Sequence, residues 1–187
     1  MAAVIGLDIE DVKRACVEAA AADLGPVSPA NMNSPEQTVI SGSTEAVARA
    51  SELATATGAK RVLPLPVSAP FHCSMMQPAA LAVAEALEAV VISPFRAPVV
   101  SNVEAAPYDD PQRTKTLLVQ QVTSPVRWVE SVQTLANLGV TVALEVGPGQ
   151  VLQGLVKRID KRVVVHRTES PDVLERALRE VEAHQSS

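Results

Sequence analysis

The chain has 187 residues, of which 47% are apolar and 2% aromatic, and a formal net charge of −5. That is long and apolar enough for a buried core in one domain or two small ones, while the acidic balance and scarce aromatics argue against a binder that tracks phosphates or stacks on bases. No apolar run reaches the length of a membrane-spanning helix, and Cys16 and Cys73 lack the number and spacing of a disulfide framework or a Cys-x-x-Cys metal site, so the expectation is a reducing, cytoplasmic setting with no membrane, nucleic-acid or metal partner.

In chain order, Met1-Ala2-Ala3-Val4-Ile5-Gly6-Leu7 reads as a short strand without the basic flank of a signal peptide. Opening inside a strand marks the chain as an expected fragment of a longer polypeptide. Asp8 is placed to cap a helix in which Ile9, Val12, Ala15, Cys16, Ala19 and Ala20 recur at helical spacing, with Gly25-Pro26 as its stop. Strands are expected over residues 27–32 and 37–41, separated by the turn Asn33-Ser34-Pro35-Glu36. Ser43 starts a second helix, Gly58 ends it, and residues 60–65 make a further strand. The order β-α-β-β-α-β predicts a ferredoxin-like domain over residues 1–66.

Beyond it, residues 67–73 form an aperiodic loop, and a long helix is expected over 74–90 with Pro78 in its first turns. A strand at 98–101, a loop from 102 to 111 and a helix at 112–122 follow. Thr123-Ser124-Pro125 breaks that helix, and residues 126–138 restart one. The apolar run 140–146 reads as a strand buried on both faces. Gly147-Pro148-Gly149 turns into a helix at 150–159, and a strand at 163–166 and a helix at 171–183 complete the chain. Alternating strands and helices predict an α/β fold with a parallel sheet covered on both sides.

Three histidines are present. His184 lies in a polar tail and His166 ends a strand, whereas His72 occupies an irregular loop, a frequent place for a catalytic base that titrates near neutrality. The plainer alternative is a structural histidine capping the next helix. For Asn31, Asn33 and Gln37 the choice lies between holding a substrate in a cleft and ordinary turn and edge-strand hydrogen bonding. Lys60 and Arg61 suit either a phosphate or, more ordinarily, a solvated strand end. Gly147-Pro148-Gly149 lacks the spacing of a phosphate loop and reads as a tight turn that helps place the wall of a site.

Four segments in order carry a resemblance. Leu63-Pro64-Leu65-Pro66-Val67-Ser68-Ala69-Pro70-Phe71-His72-Cys73 resembles the stretch around the catalytic histidine of the malonyl-CoA:acyl-carrier-protein transacylases. Asn31-Met32-Asn33-Ser34-Pro35 with Gln37-Thr38-Val39-Ile40-Ser41-Gly42 is similar to an Asn-rich turn and strand of the same family. Gln121-Val122-Thr123-Ser124-Pro125-Val126-Arg127-Trp128 and Glu145-Val146-Gly147-Pro148-Gly149, with Val151-Leu152, match two more motifs.

The resemblance implies two-step nucleophilic catalysis by a Gly-x-Ser-x-Gly serine, served by a histidine that matches His72. It also implies that the main-chain carbonyl of Gln121 orients that histidine and that the Gln121 side chain is immaterial. Phe71 would narrow the acyl pocket toward malonyl, or else pack the loop as a core aromatic. Malonyl-CoA and acyl carrier protein become the expected partners, coenzyme A being part of a substrate with no cofactor or metal required, and the full-length protein is expected to be a monomer. Residues 67–187 would then be the C-terminal part of a hydrolase-like large domain. The chain contains no Gly-x-Ser-x-Gly, so the serine, the arginine that pairs with the malonyl carboxylate and the oxyanion amides are expected upstream, and the chain is expected to be inactive alone. The rival expectation is a ferredoxin-like small-ligand or regulatory module without catalysis. Residues 27–32, 37–41 and 60–65 hold no aromatics, which disfavours an RNA-binding version.

Overall fold

The computed structural model describes residues 1–185 of an α/β chain. His184 falls among the terminal residues whose side chains lie outside that description. Two compact units are formed, Met1–Ser131 and Val132–Ser187. The division expected at residue 66 falls inside the first unit.

The first unit opens with β1 (Ala2–Ile5), α1 (Ile9–Ala20), β2 (Val27–Ser34), β3 (Gln37–Gly42), α2 (Thr44–Ala56) and β4 (Arg61–Pro64). The four strands make one sheet in the order β2-β3-β1-β4, with each neighbouring pair antiparallel. Both helices start where a side-chain oxygen meets an orphan amide. The Asp8 carboxylate accepts from the Glu10 N–H at 2.8 Å, and the Ser43 hydroxyl accepts from the Ala46 N–H at 3.3 Å. The helix face of the sheet buries Val4, Val27 and Ile40 against Val12, Cys16 and Val47. Burial pushes the Cys16 thiol up to about 12, because a thiolate there would lose its water. Ala3, Ala30 and Val39 form a smaller apolar cluster, joined by Met1 and Leu65.

Differences from the expected elements have local causes. α1 ends at Ala20, before Gly25-Pro26, and Asp23 takes a left-handed backbone, φ +57°, which no helix can continue through, while Leu24 packs back against the core. β2 runs on to Ser34, and the turn shrinks to Pro35-Glu36. The helix expected from residue 74 begins as a 3₁₀ turn, Ser74–Met76, and becomes α3 (Gln77–Glu88) where Pro78 occupies a first-turn position. The loop expected at 102–111 contains a strand. β5 (Val99–Ser101) pairs antiparallel with β6 (Ala106–Tyr108), a hairpin too short and too proline-rich to show a two-residue period. Phe95 meets Tyr108 edge to face, centroids 5.5 Å apart, and Arg113 lies 5.7 Å over the same tyrosine. α4 (Pro111–Thr123) is capped by Asp110, and α5 (Trp128–Asn137) follows.

In the second unit, β7 (Val142–Glu145) and β8 (Val164–Arg167) pair in parallel with α6 (Val151–Ile159) between them, and α7 (Pro171–Gln185) closes the chain. A parallel pair needs such a crossover. The double-sided burial expected for residues 140–146 does not occur. Leu144 and Val164 are exposed and Val146 is 85% exposed, because a two-stranded pair has too few neighbours to cover both faces.

Gly42 is the tightest backbone approach. A Cβ there would lie 2.1 Å from the Pro26 carbonyl oxygen and 2.6 Å from the Val27 Cα, and neither atom can swing aside. Gly42→Ala is expected to lower unfolding free energy by about 3 kcal/mol or more, read from the urea midpoint; a loss below about 0.5 kcal/mol would show that β2 and β3 are not this close.

Candidate active site

His72 lies in the turn Pro70-Phe71-His72-Cys73 with φ +59°. A left-handed residue without the freedom of glycine costs on the order of 1–3 kcal/mol and persists only where its surroundings over-determine it. Here they do so from both sides. Cys73 is 2% exposed, and its thiol donates to the Pro70 carbonyl at 3.1 Å, which closes the turn. On the other side, the ring Nδ1 lies 3.0 Å from the Gln121 carbonyl oxygen. A carbonyl can only accept, so Nδ1 carries the proton and donates, and in the neutral ring Nε2 keeps its lone pair. The ring is half-buried, which leaves it accessible.

Gln121 stands in the last turn of α4, where carbonyls lack intrahelical donors. The chain then leaves in extended form at Ser124, φ −113° and ψ 152°, as a residue before proline must. Val126 next bonds to β2, its N–H donating to the Ala30 carbonyl at 2.8 Å and its carbonyl accepting from the Met32 N–H at 2.9 Å. That exchange brackets Asn31, which forms a parallel bridge with Val126. Of the three amide side chains singled out in the sequence, Asn31 is therefore brought to the exit of α4. Asn33 lies two residues on, toward the β2–β3 turn, and Gln37 lies beyond that turn, opposite Ser34. Phe71 is 43% exposed. Lys60 pairs at 3.5 Å with Glu36, both largely exposed.

Arg127 ties the segment after Pro125 to the β5–β6 hairpin. Its N–H donates to the Asn102 carbonyl at 3.2 Å, and its Nη1 donates to the Val103 and Glu104 carbonyls at 3.2 and 3.1 Å. Its Nε donates to Glu130 at 3.0 Å. The hydrogen bonds that Arg127 donates hold the Glu130 carboxyl below its ordinary range, and accepting them lets Glu130 raise the Arg127 guanidinium further. Sequence reading missed this clamp, since hairpin carbonyls carry no sequence signal, although Arg127 and Glu130 stand one helical turn apart and that spacing is legible.

In the second unit Glu145 does what Gln150, a helix start with no side-chain cap, cannot do. Its buried carboxylate accepts from the Leu152 and Gln153 N–H groups at 2.9 and 2.8 Å, and its main-chain carbonyl accepts from the Thr168 hydroxyl at 3.0 Å. The Gly147-Pro148-Gly149 turn, with φ +125° and +93° at its glycines, folds the chain back so that this can happen. His166 pairs with Glu180 at 2.6 Å, a link between β8 and α7. Among the described residues no three His, Cys, Asp or Glu side chains gather as a metal site, and no helix is long and apolar enough to cross a membrane.

A histidine held by a helix-end carbonyl at Nδ1 keeps Nε2 free of that bond, an arrangement able to take up a proton. The chain belongs to the acyl transferase domain family, which matches residues 3–184. It is similar to the malonyl CoA-acyl carrier protein transacylases of Salmonella typhimurium, 45% identical over 178 residues, with 95% of this chain and 57% of that protein covered, and of Bacillus subtilis, 42% identical with 95% and 56% covered. Among solved structures it resembles the acyl-carrier-protein S-malonyltransferase of Burkholderia pseudomallei, at a TM-score of 0.91, 46% identity and 95% and 57% coverage. It also resembles a malonyl-transacylase solved in complex with its type II PKS acyl-carrier protein, at a TM-score of 0.91, 43% identity and 96% and 57% coverage. The chain thus spans somewhat over half the length of these relatives.

Two outcomes follow from the electrostatics. Glu145→Ala leaves two helix-start amides unpaired and is expected to cost about 1–3 kcal/mol in thermal unfolding, with Glu145→Gln recovering part of it; an unchanged midpoint would remove the carboxylate from this role. Glu130 has a lowered folded-state pKa, so its contribution is present above its unfolded value of about 4.3 and is lost as pH falls through the folded one. Glu130→Gln is therefore expected to flatten the stability profile below about pH 4.3, as followed by acid titration with circular dichroism.

Proposed function

We propose that this chain supplies the base of a malonyl transfer from malonyl-CoA to the phosphopantetheine thiol of an acyl carrier protein, in fatty-acid or polyketide synthesis. The observation that carries the reading is the 3.0 Å contact between His72 Nδ1 and the Gln121 carbonyl, in a chain of this family. In the proposed reaction a serine hydroxyl attacks the malonyl thioester carbonyl while His72 Nε2 takes its proton. The tetrahedral adduct collapses, the C–S bond breaks, and the coenzyme A sulfur leaves with the proton held by His72. The carrier thiol then gives its proton to Nε2 and attacks the malonyl-serine ester, and the serine oxygen recovers the proton. No cofactor or metal enters these steps. While it holds the proton the ring is cationic, and the partial negative charge of the α4 C-terminus suits that state.

The chain holds no Gly-x-Ser-x-Gly. In this proposal the serine, an arginine for the malonyl carboxylate and the oxyanion amides come from the share of the relatives that this chain does not span, and the chain alone is inactive. Residues 1–66 are read as a ferredoxin-like small domain, supported by the β2-β3-β1-β4 order, and residues 67–187 as the C-terminal part of a hydrolase-like large domain, supported by the parallel β7–β8 pair. Phe71, exposed beside His72, selects malonyl over branched acyl groups. Asn31 lies where it can meet substrate, with Asn33 and Gln37 extending that row. The full-length protein is read as a cytoplasmic monomer.

The test mixes the chain with an upstream segment carrying a Gly-x-Ser-x-Gly serine, labelled malonyl-CoA and carrier protein. Label transfer is expected, and His72→Ala is expected to reduce it by about 10³-fold or more; absence of transfer with every upstream segment would defeat the reading. In the same assay Phe71→Ala is expected to raise use of a methyl-branched substrate relative to malonyl by about tenfold or more, the scale set by one methyl in a pocket.

A further inference from the structure

The i+4 rule of the α-helix assigns each carbonyl a donor four residues on. For the Gln121 carbonyl that donor would be residue 125, which is Pro125 and has no N–H. The carbonyl that meets His72 is therefore the one that the sequence deprives of its helical partner, and Pro125 also forces Ser124 out of the helical region. Leaving the helix there raises a second need, a donor for the Ser124 carbonyl outside the helical ladder. The Gln121 side chain answers it, since its Nε2 donates to the Ser124 oxygen at 2.9 Å. One residue thus bonds both ways, with its main-chain oxygen on the histidine and its side chain on the turn that aims that oxygen. The turn is anchored further on by the Val126 bonds to β2.

We propose that Pro125 and the side-chain amide of Gln121 are positioning residues for His72: Pro125 frees the Gln121 carbonyl and the amide locks its direction. The inference rests on His72 acting as the base, as argued above, and it departs from the view that only the Gln121 main chain matters. Neither residue needs to touch substrate. A carbonyl with a helical donor would be shared between that donor and the ring, and a turn without the clamp would let the carbonyl swing. In either case the Nδ1–H form loses its preference, and the free imidazole's bias toward Nε2–H returns. In that form the nitrogen that must take a proton already carries one.

The experiment reads the tautomer directly. The 187-residue chain, labelled with ¹⁵N-histidine, is followed by long-range ¹H–¹⁵N correlation above the titration of the rings, with His72→Gln identifying the signal. The unaltered chain is expected to show His72 protonated at Nδ1 and bare at Nε2. Gln121→Met keeps the main-chain carbonyl and the side-chain length but removes the donor, and Pro125→Ala restores an N–H to residue 125. Both are expected to shift His72 toward a mixture containing Nε2–H. A wild-type pattern in both variants overturns the positioning role and leaves the orientation of His72 standing; an unaltered chain without the Nδ1–H form overturns both, so the two failures are distinct. A second measurement does not depend on either variant folding: the Gln121 side-chain amide of the unaltered chain is expected to give a ¹H–¹⁵N NOE close to that of the ordered backbone. The low value typical of a freely rotating surface glutamine would overturn the clamp.

Discussion

The hydrogen bond from His72 Nδ1 to the Gln121 carbonyl organises the first unit, because it joins residues that nothing local would bring together. They are 49 positions apart, one in a turn after β4 and the other at the end of α4. A contact of that separation has to be assembled by everything between. The Pro70–Cys73 turn fixes one partner at a strained φ, and the helix end fixes the other. β2 then holds the chain beyond the helix through Val126, so the small antiparallel sheet and the helical layer share an anchor one step from the histidine. A single neutral hydrogen bond contributes only about 1 kcal/mol to stability. Its worth is directional, since it decides which imidazole nitrogen is free.

Much of this was legible in the sequence where the physics is local. Asp8 and Ser43 stand as helix caps because a short oxygen side chain before an apolar period has one economical use. The strand and helix order of residues 1–66 follows from period and turn residues. His72 stood out because an irregular loop between two elements is a frequent place for a catalytic base, with a helix-capping histidine as the alternative. What the sequence could not display is tertiary. The β5–β6 hairpin is held by Arg127, Arg113 and one aromatic pair rather than by alternation. Glu145 reaches amides seven and eight residues on, outside the three-residue window of a capping box. The left-handed backbone of His72 also carries no mark in a non-glycine residue. Asn31, Asn33 and Gln37 read alike in sequence, whereas the bridge to Val126 sets Asn31 apart.

The second unit departed from expectation for a related reason. An unbroken apolar run such as Val140–Val146 signals a strand with neighbours on both sides, and that inference concerns the environment as much as the strand. In the parallel β7–β8 pair the strand forms in register, yet Leu144, Val146 and Val164 remain exposed. The side-chain pattern therefore reports a wider sheet than two strands can provide. Exposed apolar strand residues of this kind are ordinarily covered by a partner surface, which accords with a chain that spans somewhat over half of its relatives' length.

The His72 imidazole is oriented by a carbonyl rather than a carboxylate. A carboxylate could hold an imidazole from a loose side chain, because its charge tolerates some error in direction. A neutral carbonyl attracts less strongly and must be aimed, so the demand for precision passes from side-chain chemistry to the backbone. The helix therefore has to end at a defined residue, the next carbonyl has to be tied down, and the chain has to be pinned to the sheet within a few residues. Pro125 meets the first requirement, the Gln121 amide on the Ser124 carbonyl the second, and Val126 on β2 the third. On this view the motif from Gln121 to Trp128 is a single mechanical part: its first residue faces the histidine, Pro125 sets the break, and Arg127 fastens the far end to the hairpin.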